Sequence, residues 1–172
     1  MKFWQKYLAC LLAVSLMAAC GYQLRGKGSF WPPQMKKICV PVFENSSGRF
    51  ELDIKLTKSV VSELVSRTKV EIVPERTQAD GLLSGEVVAF KVQPIAFSSL
   101  GAATKFKITI TTSIVFSDLI NQKILFSDDN FIYTGEYDIP EGLDFETMES
   151  QAIDRIAEKF ARQLVVNLLE GF

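Results

Sequence analysis

The chain has 172 residues, enough for one domain with a hydrophobic core, and its 19 basic and 20 acidic side chains give a formal net charge of −1. This balance, without a basic stripe, argues against nucleic acid as a partner. The absence of histidine excludes a Ser-His-Asp triad and a His-Glu-x-x-His zinc site. An enzyme would have to rely on carboxylates or lysines, and we expect no catalytic residue, metal or cofactor.

The N-terminal segment joins a short positive stretch to an apolar run. Lys2 and Lys6 precede 12 mostly apolar residues at 8–19, fewer than the roughly 18 that a membrane-spanning helix needs. Small residues lead to Cys20 and Gly21 follows it, which resembles the lipobox of bacterial lipoproteins. We expect a signal peptide at 1–19, lipidation of Cys20, a linker at 20–36 and a single domain at 37–172. An ordinary secretory signal and a buried N-terminal helix are the alternatives.

Removing residues 1–19 takes away two lysines and leaves 153 residues, with 17 basic and 20 acidic side chains. Cys39 is then the one thiol that is not in the signal or lipidated. An intrachain disulfide is therefore impossible, and packing must hold the domain together. We expect Cys39 to be a small buried apolar residue.

The first half of this domain predicts a strand, a helix and a strand. The apolar run 37–43 indicates a short strand that bends or lies at an edge, because Pro41 cannot donate to a ladder. Residues 44–48 are typical of a turn, and 69–73 predict a second strand. Apolar residues at helical spacing lie between them and predict a broad buried face: Phe50, Leu52, Ile54, Leu56, Val60, Val61, Leu64 and Val65.

Three longer strands follow, at 82–92, 104–117 and 123–134. The middle strand alternates with period two, which predicts a core face and a polar face. The core face holds Phe106, Ile108, Ile110, Ile114 and Phe116. The alternation slips at 128–130, where we expect a bulge, and the apolar loop 94–103 either folds back on the core or forms an interface.

The last part of the chain combines an acidic stretch, 135–149, with a long helical pattern. The acids do not have calcium-loop spacing, and we interpret them as charges gathered at a helix start, with Asp144 or Thr147 as the cap. The helix is expected to run to about residue 170 and to bury a stripe from Met148 to Leu168.

Three motifs occur in the same order as in one known family. They are Ala19-Cys20-Gly21-Tyr22-x-Leu24-Arg25, Leu83-x-Gly85-x-Val87, and Asp154-Arg155-x-Ala157-Glu158 followed by Leu164. Together they resemble the LptE-type outer-membrane lipoproteins of lipopolysaccharide assembly. The expected fold is α+β: a mixed sheet of four to five strands, made of a β-α-β unit and an antiparallel meander, with two helices packed on one face.

The resemblance implies a non-enzymatic protein that plugs a large LptD-type β-barrel, supports its assembly and interacts with lipopolysaccharide. Gly21 after the cysteine points to the outer membrane. Family members carry glycolipid-binding basic residues at a strand-loop position, but residues 97–101 contain none. Lys91, Lys105 and Lys107 are our substitutes for lipopolysaccharide binding. For barrel contact we single out Phe97, Leu100, Thr109 and Thr111.

Two other classes of function compete with this one. A different lipid-anchored periplasmic binding or envelope-scaffold domain would have the same anchor without a barrel partner. A carboxylate-dependent enzyme acting on cell-wall glycans would need two acids that converge in a cleft.

Overall fold

The computed structural model describes residues 31, 32, 34–140 and 143–170. The predicted signal peptide 1–19 and the predicted lipidation site Cys20 lie outside the described residues. In chain order the elements are β1 (Lys37–Cys39), β2 (Glu44–Asn45), α1 (Leu52–Arg67), β3 (Glu71–Ile72), a 3₁₀ helix (Arg76–Gln78), β4 (Gly81–Phe97), β5 (Ala103–Asp118), β6 (Lys123–Asp138) and α2 (Phe145–Glu170).

The strands form one mixed sheet in the order β3-β1-β4-β5-β6, with β2 paired to β4 beside this path. β1 is parallel to both β3 and β4, whereas β4, β5 and β6 form an antiparallel meander. The predicted α+β fold, with its β-α-β unit and meander, is confirmed. The turn predicted at 44–48 is wrong in part, because Glu44 and Asn45 pair in parallel with Glu86 and Val87.

The period-two prediction for β5 is confirmed from Ile108 to Phe116, whereas residues 103–107 are all half-buried. Ile108, Ile110 and Ile114 are fully buried and join one core with both helices. Thr112 occupies the same face, and its hydroxyl donates to the carbonyl of Phe131 at 3.2 Å. A buried hydroxyl is tolerated when it is hydrogen-bonded, so this threonine does not interrupt the core. The predicted slip in β6 is also confirmed, since its register with β5 shifts across 128–131.

The buried face of α1 is narrower than the sequence indicated. The residues that it buries are Leu52, Leu56, Thr57, Val60 and Leu64. Ile54 and Val65 are exposed, and so is Phe50, which precedes the helix and is 84% exposed. The prediction that these three residues belong to the core was therefore wrong. Apolar residues lie on more than one side of α1, and the sheet and α2 cover only one of these sides.

The long helix α2 packs on the meander as its apolar stripe predicted. Asp144 caps it, because its carboxylate accepts from the backbone amide of Thr147 at 2.9 Å, and this hydrogen bond lowers the pKa of Asp144. Phe160 is fully buried, and its ring meets Phe131 and Tyr133 edge-on at centroid distances of 5.5 and 6.4 Å. The helix thereby covers the core face of β6.

Two strands of the meander are longer than predicted. β4 continues to Phe97 rather than ending at Val92, and β6 continues to Asp138 rather than ending at Thr134. Pro94 is accommodated within β4 because the register shifts just after it, as prolines within sheets require. The predicted loop 94–103 is thereby reduced to the five-residue hairpin tip 98–102.

The helices run side by side in the same direction. An ion pair between Lys55 and Asp154 joins their first halves, and Arg67 and Leu169 line one groove at their carboxyl ends. The segment before β1 packs at this carboxyl end, where Trp31 stacks on Phe116 at 5.3 Å. The hairpin tip 98–102 lies at the opposite end of the meander.

Candidate interaction surface

The side of the meander that faces away from the helices, here called the outer face, is largely polar around Lys107 and Thr109, and the exposed Ile132 interrupts it opposite Thr111. Cross-strand register builds it in rows, because opposite residues of paired strands point to the same side. Lys107 lies between Gln93 and Glu136, and Thr109 lies between Lys91 and Thr134. The next positions on β5 are Lys105 and Thr111, which alternate with the buried isoleucines. The structure thus brings together all five polar residues that the sequence singled out on these strands.

The three lysines of this face differ in their surroundings. Lys105 is paired with two carboxylates, since its ammonium lies 3.6 Å from Glu136 and 3.7 Å from Asp138. Within the described part of the chain, Lys91 and Lys107 make no ion pair. Lys91 and Lys107 are therefore better placed than Lys105 to meet an anionic group from outside.

Sequence reasoning missed the two acids that hold Lys105. Glu136 and Asp138 were assigned to the acidic stretch before the last helix, whereas they are outward-facing residues of β6. The signal that could have located them is the alternation from Phe131 to Tyr137, which continues past Thr134.

The hairpin tip presents large apolar side chains to solvent. Phe97 is 62% exposed and Leu100 is 92% exposed. Local hydrogen bonds fix the tip: the hydroxyl of Ser98 accepts from the amides of Leu100 and Ala102 at 3.3 and 3.2 Å. Gly101 takes a positive φ of 82°, a conformation that favours glycine. Of the two alternatives for this loop, folding back on the core is wrong.

A family model for lipopolysaccharide assembly, LptE, matches residues 35–168. The chain belongs to the LptE family. The match covers the β-α-β unit, the meander and nearly all of α2, so it includes the outer face and the hairpin tip. No curated protein sequence matched the chain.

Solved structures similar to this LptE-family chain have the same fold at low sequence identity. The hypothetical protein CT253 from Chlamydia trachomatis is 11% identical, with a TM-score of 0.55, over 80% of this chain and 97% of that one. The uncharacterized lipoprotein B from Nitrosomonas europaea is 13% identical, with a TM-score of 0.50, over 84% and 90%. At such identities the likeness shows the fold alone.

The helix side of this LptE-family domain contains a buried polar cluster. Glu149 is buried on α2, and its carboxylate lies 3.4 Å from the guanidinium of Arg49, which in turn stacks over Phe90 at 5.7 Å. Tyr137 lies beside this pair, and its buried hydroxyl has no hydrogen-bond partner among the described residues. Burial, reinforced by the charge of Glu149, raises the pKa of Tyr137 to about 12.

Replacement of Tyr137 by phenylalanine is expected to raise the free energy of unfolding by about 1 kcal/mol at neutral pH, because it removes an unpaired buried hydroxyl. In the parent protein, stability should fall as the pH rises from 10 towards 12. The tyrosine ionises near pH 10 in the unfolded chain and only near pH 12 in the folded one. The free energy of unfolding should therefore fall by at most about 3 kcal/mol over this range. Urea titrations at pH 8 to 12 measure both effects.

Tyr133→Phe is the matched control for this prediction. Burial also raises the pKa of Tyr133, but without the added charge of Glu149. Its pH dependence should therefore stay close to that of the parent. If the free energy of unfolding falls with pH equally steeply above pH 10 in the parent and in Tyr137→Phe, Tyr137 is not the group that titrates.

The described residues offer neither a metal centre nor a membrane-crossing helix. Nowhere in 31–32, 34–140 and 143–170 do three or more potential metal-binding side chains lie close enough together to hold one metal ion. In the same part of the chain, neither helix combines the length and apolarity needed to cross a bilayer. Three carboxylates, those of Glu51, Glu146 and Glu149, line one groove between the helices' amino ends. Glu149 is committed there to its ion pair with Arg49.

Proposed function

We propose that this LptE-family chain is a lipid-anchored, non-enzymatic outer-membrane protein that sits inside a large LptD-type β-barrel. In this proposal residues 1–19 are a signal peptide and Cys20 carries the lipid. The domain supports assembly of the barrel and contacts lipopolysaccharide on its way to the cell surface. The observation that carries the proposal is the outer face, which ends in an exposed apolar tip.

The outer face suits the interior of a water-lined barrel. Its threonines and lysines stand on three long strands that pair along most of their length, so this part of the surface is rigid and polar. Along each strand of a membrane β-barrel, lipid-facing side chains alternate with lumen-facing ones, and the lumen-facing side chains are polar. Thr109 and Thr111, at the centre of the face, are the positions that we assign to the barrel wall.

Lipopolysaccharide is an amphiphile with anionic groups, and the same end of the domain offers both kinds of contact. Lys91 and Lys107 supply cations that form no ion pair among the described residues, whereas Lys105 is paired with Glu136 and Asp138. Phe97 and Leu100 supply exposed apolar surface. In this proposal the lysines meet the charged part of the glycolipid, and the tip reaches its acyl chains or the barrel.

Photo-crosslinking in the native envelope tests the proposal. A photoreactive residue at Thr109 or Thr111 should give an adduct that contains the barrel. The matched control is Lys159, an exposed position on α2 on the other side of the domain. Absence of an adduct from both threonines, or equal capture from Lys159, would contradict the assigned orientation.

A further inference from the structure

The carboxyl ends of the two helices and the segment before β1 enclose a groove of about 570 Å³, here called the basic groove. Its apolar surface comes from Trp31, Met35, Val70 and Leu169. Met35 and Val70 are buried and form the floor. Lys36, Arg67 and Lys69 supply the cations, and Thr68 completes the lining.

The charge of this groove is unusual for the molecule. Among the described residues no acidic side chain lines it, although the whole chain has one more acidic than basic side chain. Three other grooves of similar size each include at least one carboxylate. An apolar floor with cations and no acid at its rim fits the headgroup and upper chain of an anionic lipid.

The basic residues are not equally available. Arg67 forms an ion pair with Glu63 one helical turn earlier, and a cation in the last turn of a helix is favoured by the helix dipole. Lys36 donates its backbone amide to Asp80 at 2.8 Å, and its ammonium makes no ion pair within the described residues. Lys69 is also exposed and unpaired there. The binding argument therefore depends on Lys36 and Lys69.

The position of the groove along the chain indicates which surface it meets. Trp31 lines the groove and lies 11 residues after Cys20. A chain of that length spans at most about 40 Å. A lipid on Cys20 would therefore keep this end of the domain near the membrane. Tryptophan flanked by lysines is also the composition that proteins place at membrane–water interfaces.

We propose that the basic groove rests on the membrane surface that holds the anchor and takes the headgroup of an anionic phospholipid. This inference depends on the proposed lipidation of Cys20. Lys36 and Lys69 contact the phosphate, and Trp31, whose ring stacks on Phe116 and whose indole N–H donates to the carbonyl of Met35 at 3.1 Å, stays in place beside them at the interface. The bilayer contact at this end is separate from the outer face.

Trp31 makes this proposal directly measurable. The chain has two tryptophans, Trp4 and Trp31, and only Trp31 remains after residues 1–19 are removed. The purified lipidated protein is inserted into phosphatidylcholine vesicles with about one-third phosphatidylglycerol, and bromine is placed on the acyl chains of one lipid or the other. Bromine quenches a nearby indole. At equal total bromine, brominated phosphatidylglycerol should quench Trp31 at least about twofold more than brominated phosphatidylcholine.

Substitution of Lys36 and Lys69 distinguishes headgroup binding in the basic groove from general electrostatic attraction of the protein to an anionic membrane. In the double variant Lys36→Gln with Lys69→Gln, brominated phosphatidylglycerol and brominated phosphatidylcholine should quench Trp31 equally. The control variant Lys58→Gln with Lys159→Gln removes the same charge from exposed helix positions. It should retain the stronger quenching by brominated phosphatidylglycerol. An unchanged Trp31 emission spectrum in detergent confirms that the variants remain folded.

The outcomes distinguish this proposal from the one on which it rests. Flotation of the same vesicles reports the lipid anchor, and a protein that does not float overturns both proposals. A protein that floats but shows no preference for brominated phosphatidylglycerol overturns the basic groove alone. So does a preference that survives in the Lys36/Lys69 variant or disappears equally in the Lys58/Lys159 control.

Discussion

Replacement of Phe160 by alanine is expected to lower the free energy of unfolding by about 3–5 kcal/mol. Its ring is fully buried in the middle of α2 and touches two aromatic rings of β6, those of Phe131 and Tyr133. Truncation leaves a cavity between helix and sheet, and a rigid sheet cannot collapse to fill it. Chemical denaturation followed by circular dichroism measures the loss.

Phe50→Ala is the matched control, because it deletes the same side chain from a site that is 84% exposed. It should change stability by no more than about 0.5 kcal/mol. A large loss in this variant would mean that Phe50 belongs to the core, as its spacing in the sequence had indicated. Similar losses in both variants would contradict the helix register described here.

Charging the hairpin tip is expected to have the largest effect on the proposed function. The double variant Phe97→Asp with Leu100→Asp places two carboxylates where the proposal needs apolar contact. Loss of a buried apolar anchor at an interface costs about 2 kcal/mol, so the pair should weaken the complex by roughly a thousandfold. Recovery of the barrel with the purified lipoprotein in mild detergent should then fall to background.

The fold should not suffer from this change, because both side chains point into solvent and the hydrogen bonds at Ser98 use only its hydroxyl and backbone amides. Thermal unfolding of the variant checks this point. Ile124→Asp with Ile120→Asp is the control, since both isoleucines are exposed at the opposite end of the meander. Full recovery of the barrel with the tip variant would remove the tip from the interface.

Much of the fold could be predicted where a single pattern dominated. The alternation in β5 fixed its core face because every isoleucine at 108, 110 and 114 falls on one side, and a shift of one residue would have reversed all of them. The cap could be narrowed to Asp144 or Thr147, because a carboxylate three residues before a free helical amide is a local signal, and the structure shows that it is Asp144. The bulge at 128–130 could be predicted because the alternation of apolar and polar residues slips there.

Other features depend on distant neighbours and could not be predicted from the sequence. The helical pattern of α1 cannot reveal which of its apolar sides is covered, since that depends on where β4 and α2 lie. The choice of Lys105 as a lipopolysaccharide-binding candidate did not anticipate its pairing with Glu136 and Asp138, which depends on how β5 and β6 pair. For the outer face, composition identified the residue types, and the strand pairing together with the side-chain conformations determined which of the lysines form ion pairs.

The length of the meander has a consequence for transport across a membrane. β4 has 17 residues, which at about 3.3 Å per residue amounts to roughly 55 Å of strand, whereas the hydrocarbon core of a bilayer is about 30 Å thick. If one end of such a domain is held at one leaflet, its far end is long enough to reach the opposite leaflet inside a barrel. Three strands paired along most of that length, with bulges at a few positions, would then connect the end where the protein is held with the end at the opposite leaflet.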